Sequence, residues 1–206
     1  MMIETIEEAE ALLEDLIKQV PDYRITDGFD IGLLRKHSKG VSKVAKQTTK
    51  EIRQNYDNFN VDPVEMGIAG MLHDVGKCLS DDFLIHAIVG GEYLELQGLH
   101  QIARNIRTHF TIREVLQIQE SRGLNPDDFT PKTWNELVII YADLHYYVDR
   151  ISFEERINDL LIRRTGDGKQ SIIMAVNRLW GIDSDIEELR NGTYNTDKLN
   201  KYSFLD

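Results

Sequence analysis

Six side chains able to ligate a metal ion fall on apolar helix faces: His37, His73, Asp74, His86, His109 and Asp143. In the stretch IAGMLHDVGKCL, residues 68 to 79, the apolar residues Ile68, Met71, Leu72 and Val75 keep helical spacing, and His73 and Asp74 sit inside that run. His37 lies three residues after Leu34 and four before Val41. His86 lies three after Phe83 and four before Gly90, a small residue that lets another helix approach. His109 follows Ile106 by three and Ile102 by seven. Asp143 stands among Val138, Ile139, Ile140, Tyr141, Ala142 and Leu144. A helix apolar nearly all round is central and buried. An unpaired carboxylate there costs on the order of several kcal/mol, so Asp143 needs a strong partner.

Taken singly, each residue has a plain structural explanation. A lone histidine on an apolar face usually bonds a backbone carbonyl, and a lone buried aspartate is usually a cap or half of an ion pair. Taken together, three separate histidines, one His-Asp pair and one aspartate point inward from five helices, and no arginine or lysine occupies the same stripes. Mixed imidazole and carboxylate donors suit a divalent ion such as Mn, Fe, Co, Ni or Zn. Such a cation at the meeting point of the helices would stabilise every one of these groups, with His73 and Asp74 as adjacent ligands. His145 falls two residues after Asp143, roughly 200° around the helix and facing away. His100 opens its helix, roughly two turns or more from His109.

These residues must be positioned by helices, because no segment alternates as a strand would. Helices are expected over about 2 to 19, stopped by Pro21, and over about 30 to 56, with Leu34, Val41, Val44 and Ile52 on one stripe and Thr48 on the same line. The next opens at Asp62 as N-cap with Pro63 in the first position and closes near Gly76. Others run from about Phe83 to Gln97 and from Leu99 to about Phe110, and TIREVLQIQESRG is stopped by Gly123. Thr130 and Pro131 are expected to open a long helix reaching about Arg150. ISFEERINDLLIRR carries the capping-box pair Ser152 and Glu155. SIIMAVNRLWG reads as a short helix ending at Gly181, and the last 15 or so residues as a polar, loosely held surface tail. The expectation is an all-α bundle: an acidic N-terminal helix over 1–29, a core over 30–150, and helices and tail over 151–206 completing the same domain.

Composition narrows the function. The 206 residues are 41% hydrophobic and 29% charged, enough for a single buried core. The net charge of -11 argues against broad nucleic-acid binding. One cysteine, Cys78, excludes a disulfide within the chain and a cysteine zinc cluster, and fits a cytoplasmic location. The opening MMIETIEEAEALLEDLIKQV is acidic, unlike a secretory leader. No apolar run approaches the roughly 18 residues that would span a bilayer. Lys36, Lys39, Lys43, Lys46 and Lys50 fall on one helix face, a solvated face or, if it borders a site, a funnel for an anionic substrate. The sequence leaves room for a homo-oligomer.

The order His37, then His73-Asp74, then Asp143 resembles the HD-domain superfamily of metal-dependent phosphohydrolases. LLRKHSKGVSKVA, GMLHDVGK and VIIYADL are similar to its successive motifs, nearest to the HDIG subtype with Val75 in place of Ile. HAIVGGEYL and IRTHF resemble the subtype's intervening elements, and GLNPDDFTPKTWNELVIIYAD the connector of short prokaryotic HDIG proteins. The resemblance spans about residues 30 to 150. It implies that His37, His73, Asp74 and Asp143 hold one metal, and that His86 and His109 hold a second with Asp74 bridging. One or two divalent ions, Mn, Fe, Co, Ni, Zn or Mg, are the implied cofactors.

It further implies hydrolysis of a small phosphate ester, a nucleotide by preference, through a metal-activated hydroxide. Asp74 and Lys77 are the implied catalytic residues. Lys77, in the HDxGK position, would contact substrate phosphate; as a plain structural cation it would instead complement a helix C-terminus. Arg150, seven after Asp143 and about 10 Å along the expected helix, is a second phosphate-binding candidate. Two other classes share the ligand set: an HD-fold di-iron oxygenase and a non-catalytic nucleotide-binding module.

Overall fold

The computed structural model describes residues 2–26 and 29–202, and among them there is no strand, only one isolated antiparallel bridge between Tyr146 and Arg150. The chain is an all-α bundle of α1 (Ile6–Ile17), α2 (Asp22–Thr26), α3 (Ile31–Asn55), α4 (Pro63–Leu72), α5 (Gly76–Leu79), α6 (His86–Leu96), α7 (His100–Arg107), α8 (Ile112–Ile118), α9 (Trp134–Leu144), α10 (Phe153–Arg163) and α11 (Gly166–Arg190). Local signals set most of the starts. Thr5 with Glu8, and Ser152 with Glu155, form reciprocal capping boxes. Asp30 accepts the Leu33 N–H, and Asp62 accepts those of Val64 and Glu65 ahead of Pro63.

The core is organised around α9, every residue of which is buried. Helices α3, α4, α7, α10 and α11 pack against it, and α1 lies on α4. Trp134, at the start of α9, is fully buried and donates its indole N–H to the Leu199 carbonyl at 3.0 Å, which satisfies its one polar atom.

Several helix limits differ from the sequence expectation, each for a local reason. The third expected helix breaks into α4 and α5, so His73 caps α4 and Asp74 lies in the bend between them. The α5 helix then folds tightly against α6: a Cβ on Gly76 would stand 1.8 Å from the His86 carbonyl oxygen, so only glycine permits this approach. Helix α6 starts at His86 and α7 ends at Arg107, both shorter than expected.

Helix α9 opens after Thr133 instead of Thr130, because Thr133 and Glu136 cap each other. The Glu136 carboxylate also takes the Lys132 N–H at 2.8 Å. It ends at Leu144, well short of Arg150. There the chain turns, with the Ile151 N–H donating to the His145 carbonyl at 3.2 Å. Helix α11 runs through Gly181 to Arg190. Its buried residues Ile172, Ala175, Leu179, Ile182, Ile186 and Leu189 continue one stripe past the glycine, and packing of that stripe outweighs the modest helix penalty of Gly. The tail to residue 202 is also packed. Tyr194 and Leu199 are buried, and the rings of Tyr194 and Tyr202 meet Trp134 edge-on. The final residues 203–206 of the expected loose tail lie outside the described residues.

Candidate metal centre

Five segments deliver six ligating side chains to one point. Helix α3 presents His37, the α4–α5 bend His73 and Asp74, the first residue of α6 His86, the residues after α7 His109, and α9 Asp143. All are buried except His86, whose side chain is 13% exposed.

Backbone carbonyls fix the four rings in one tautomer. The Nδ1–H of His37 donates to Tyr147 O (3.3 Å), that of His73 to Gly70 O (2.7 Å), that of His86 to Phe83 O (2.5 Å) and that of His109 to Ile106 O (3.0 Å). A carbonyl only accepts, so each neutral ring keeps its lone pair on Nε2. The four Nε2 atoms converge: those of His37 and His73 are 3.2 Å apart, and so are those of His86 and His109. Asp74 lies between the two pairs. Its Oδ2 is 3.4 Å from His73 Nε2 and 3.7 Å from His37 Nε2, while its Oδ1 is 3.0 Å from His86 Nε2 and 3.9 Å from His109 Nε2. Asp143 Oδ1 is 3.0 Å from His37 Nε2.

Acceptors facing acceptors in a buried space would be stabilised by a cation. Asp74 Oδ1 is buried and makes no hydrogen bond, although His86 Nε2 is near, as expected when that nitrogen carries no proton. Burial pushes His73 and His86 below the ordinary imidazole range and His109 down to about 4, which favours the neutral form that can ligate a metal. Burial pushes the Asp74 and Asp143 carboxyls up, but their neighbours more than compensate. His73 and Lys77 hold Asp74, and His37 and Arg156 hold Asp143, well below the usual carboxylate range. Imidazole nitrogens and carboxylate oxygens in this arrangement fit a divalent ion. Asp74 has one oxygen toward each half of the cluster, so it could be shared by two.

Contrary to the sequence expectation, the acids do have basic partners. Lys77 Nζ donates to Asp74 Oδ2 at 2.5 Å, and Arg156 Nη2 to Asp143 Oδ1 at 3.2 Å. Lys77 arrives because α5 folds back over Asp74. Arg156 arrives from α10, remote in sequence, and lies one residue before the buried Ile157 on its inward face.

His145 and His100 stand apart, as their spacing implied. His145 Nε2 meets Asp183 Oδ1 at 2.6 Å, and His100 is exposed beside Glu95. Arg150 is not brought to the cluster. It lies exposed in the turn after α9, and its charge acts on Glu51. The lysine face of α3 is likewise elsewhere: Lys39 pairs with Glu10 at 2.6 Å and Lys36 approaches Asp149 at 4.0 Å.

A cavity of about 560 Å³ opens onto the cluster, with His37 and Asp74 in its wall. Its positive charge comes from Arg24, Lys77, Arg156, Arg163 and Arg164. The four arginines were not singled out from the sequence. The signal for three of them was the pairing of Arg156 with Arg163 and Arg164, seven and eight residues on, on the capped helix α10.

The HD domain matches this chain over residues 34–152, a span that begins just before His37 and ends after Asp143. The chain belongs to the HD-domain family. This HD domain is 28% identical over 142 residues to an uncharacterized protein of Methanocaldococcus jannaschii, covering 66% of the chain and 79% of that protein. It is also 28% identical over 110 residues to the tRNA (cytidine(56)-2'-O)-methyltransferase of Thermoplasma volcanium, covering 52% of the chain but only 30% of that enzyme. No solved structure matches it. Among the described residues, no helix of this HD domain is long and apolar enough to cross a membrane.

Proposed function

We propose that this HD domain is a metal-dependent phosphohydrolase acting on a small phosphate ester, a nucleotide in preference to a sugar phosphate, in the cytoplasm. The observation that carries the proposal is a cationic cavity with an aromatic wall opening directly onto the six-residue cluster. Phe29 and Phe83 stack with ring centroids 5.9 Å apart and planes 17° from parallel. The Arg163 guanidinium lies 4.4 Å from the Tyr147 ring centroid. Aromatic faces suit a base, and guanidinium and ammonium groups suit phosphate oxygens. One relative is a tRNA methyltransferase. The net charge of -11 and a bounded cavity favour a mononucleotide over a polynucleotide for this chain.

His37, His73, Asp74 and Asp143 would hold one divalent ion, or a pair with His86 and His109, which would supply Lewis acidity and make a water more acidic. The chain does the rest. Its carbonyls hold the four imidazoles in the ligating tautomer. Arg156 fixes Asp143 in place. Lys77, bonded to Asp74 and bordering the cavity, presents a point charge where a phosphate would sit. Arg24 donates to the carbonyls of Lys77, Cys78 and Ser80 and so holds α5, and with it Lys77, in position.

The test is phosphate release from a panel of nucleotides and other phosphate esters, with each of Mn, Fe, Co, Ni, Zn and Mg. Metal-dependent turnover of at least one nucleotide is expected. No turnover with any ion, together with iron-dependent oxygen consumption, would replace the proposal with an oxygenase.

A further inference from the structure

The cations around the cavity are not equally available. Arg24 is spent on three carbonyls and on Asp81 at 2.8 Å. Lys77 is bonded to Asp74, Arg156 to Asp143, and Arg163 to Asp159 through both Nε and Nη2. Arg164 differs. It caps the C-terminus of α10, is partly buried, and its side chain makes no hydrogen bond or ion pair among the described residues. Its position is also distinct. Arg164 borders both the large cavity and a smaller pocket lined by His86 and His109, so with Phe83 it stands where the two halves of the ligand cluster are reached.

None of the Arg164 nitrogens is both fully buried and unpaired, so in the free protein they reach water and an anion entering the cavity can replace that water. Burial pushes the guanidinium below its ordinary range, and Arg163 beside it adds to that, while Asp74 and Asp143 act in the opposite sense. Its stem runs past Gly168, where a Cβ would stand 3.8 Å from Arg164 Cδ. An anion in the cavity would supply what the fold withholds. The five donors of a guanidinium match the oxygens of a phosphate.

We propose that Arg164 is a substrate-binding residue that grips the phosphate group of the ester from the α10–α11 corner, beside the His86–His109 half of the cluster. This rests on the phosphohydrolase reading and names which of its cations is free to bind substrate. Lys77 and Arg164 then share the phosphate, and Arg164 is the one of the two with no protein partner among the described residues.

The experiment titrates inorganic phosphate into Mn-loaded wild type, Arg164→Met and Arg164→Lys by calorimetry, with metal content and thermal stability measured alongside. Methionine keeps the apolar stem and removes the charge. Phosphate affinity is expected to fall about ten- to hundredfold in Arg164→Met and less in Arg164→Lys. Metal content should be unchanged, and the melting temperature equal to wild type or higher, since an unpaired half-buried charge is removed. Equal phosphate affinity in wild type and Arg164→Met overturns the assignment while leaving the phosphohydrolase reading intact. A lower melting temperature for Arg164→Met in phosphate-free buffer also overturns it, because the residue would then be structural. If wild type neither binds phosphate nor hydrolyses any ester, both fall.

Discussion

Replacing Arg156 by Met should destabilise the metal-free protein and, at the same time, tighten metal binding. Arg156 and Asp143 are both buried, with Nη2 and Oδ1 3.2 Å apart. At an effective dielectric constant of about 20 their attraction is about 5 kcal/mol. Part of that is offset, because Arg156 Nε is buried without a hydrogen bond, while Nη1 has Asp159 Oδ2 at 3.5 Å. Such an unpaired group costs about 1–3 kcal/mol, so removing it returns roughly 2 kcal/mol. The net loss is then about 3 kcal/mol, the lower end of what breaking a buried pair costs. A divalent ion against Asp143 takes over the neutralisation, and the deficit should shrink to about 1 kcal/mol. By linkage, the variant should bind the ion roughly thirtyfold more tightly. Urea unfolding with chelator and with saturating Mn²⁺ measures the two deficits, and competition titration measures the affinity. Equal deficits with and without the ion, and an unchanged affinity, would refute the placement of Asp143 among the ligands.

Acid should unfold the metal-free protein earlier than the metal-loaded one. The folded state lowers the His109 pKa from about 6.5 to about 4 and shifts His73 and His86 the same way, so the unfolded chain binds more protons in that window. Stability is fully present above about 6.5 and is lost as pH falls toward 4, with about 3 kcal/mol from His109 alone; a flat urea midpoint across that range would contradict it. Gly76→Ala should push α6 away from α5, cost more than about 2 kcal/mol and lower metal stoichiometry by displacing His86, as unfolding and elemental analysis would record. Lys77→Ala should raise the Michaelis constant for a phosphorylated substrate several-fold while metal content holds. A variant that keeps its kinetics would remove Lys77 from the site.

The six-residue cluster was legible because buried polar residues are rare on apolar stripes, and helical spacing alone shows which way His37, His109 and Asp143 face. The break between α4 and α5 was not, since His73 and Asp74 fit a continuous helix equally well until the Gly76 contact with α6 is known. The arginines of the cavity were missed for a related reason. The capping box of Ser152 and Glu155 announces α10 but does not say which face meets α9, so it singles out neither Arg156 nor Arg164. The lysine face of α3 was the more conspicuous pattern, yet the fold turns it toward Glu10 and Asp149. Thr133 prevailed over Thr130 because Glu136, three residues on, returns the hydrogen bond, whereas the residue three after Thr130 is Thr133, with no carboxylate or amide to do so. Gly181 misled as a stop because the stripe from Ile172 to Leu189 gains more from packing than one glycine loses.

The measurement closest to the central claim is elemental analysis of wild type and Asp74→Ala, each purified without added metal and then equilibrated with Mn²⁺. Asp74 is the residue shared by both halves of the cluster, so wild type should retain one or two divalent ions per chain and the folded variant none. Retention of the full complement by Asp74→Ala, or a wild type that holds no divalent ion under any loading condition, would contradict the account.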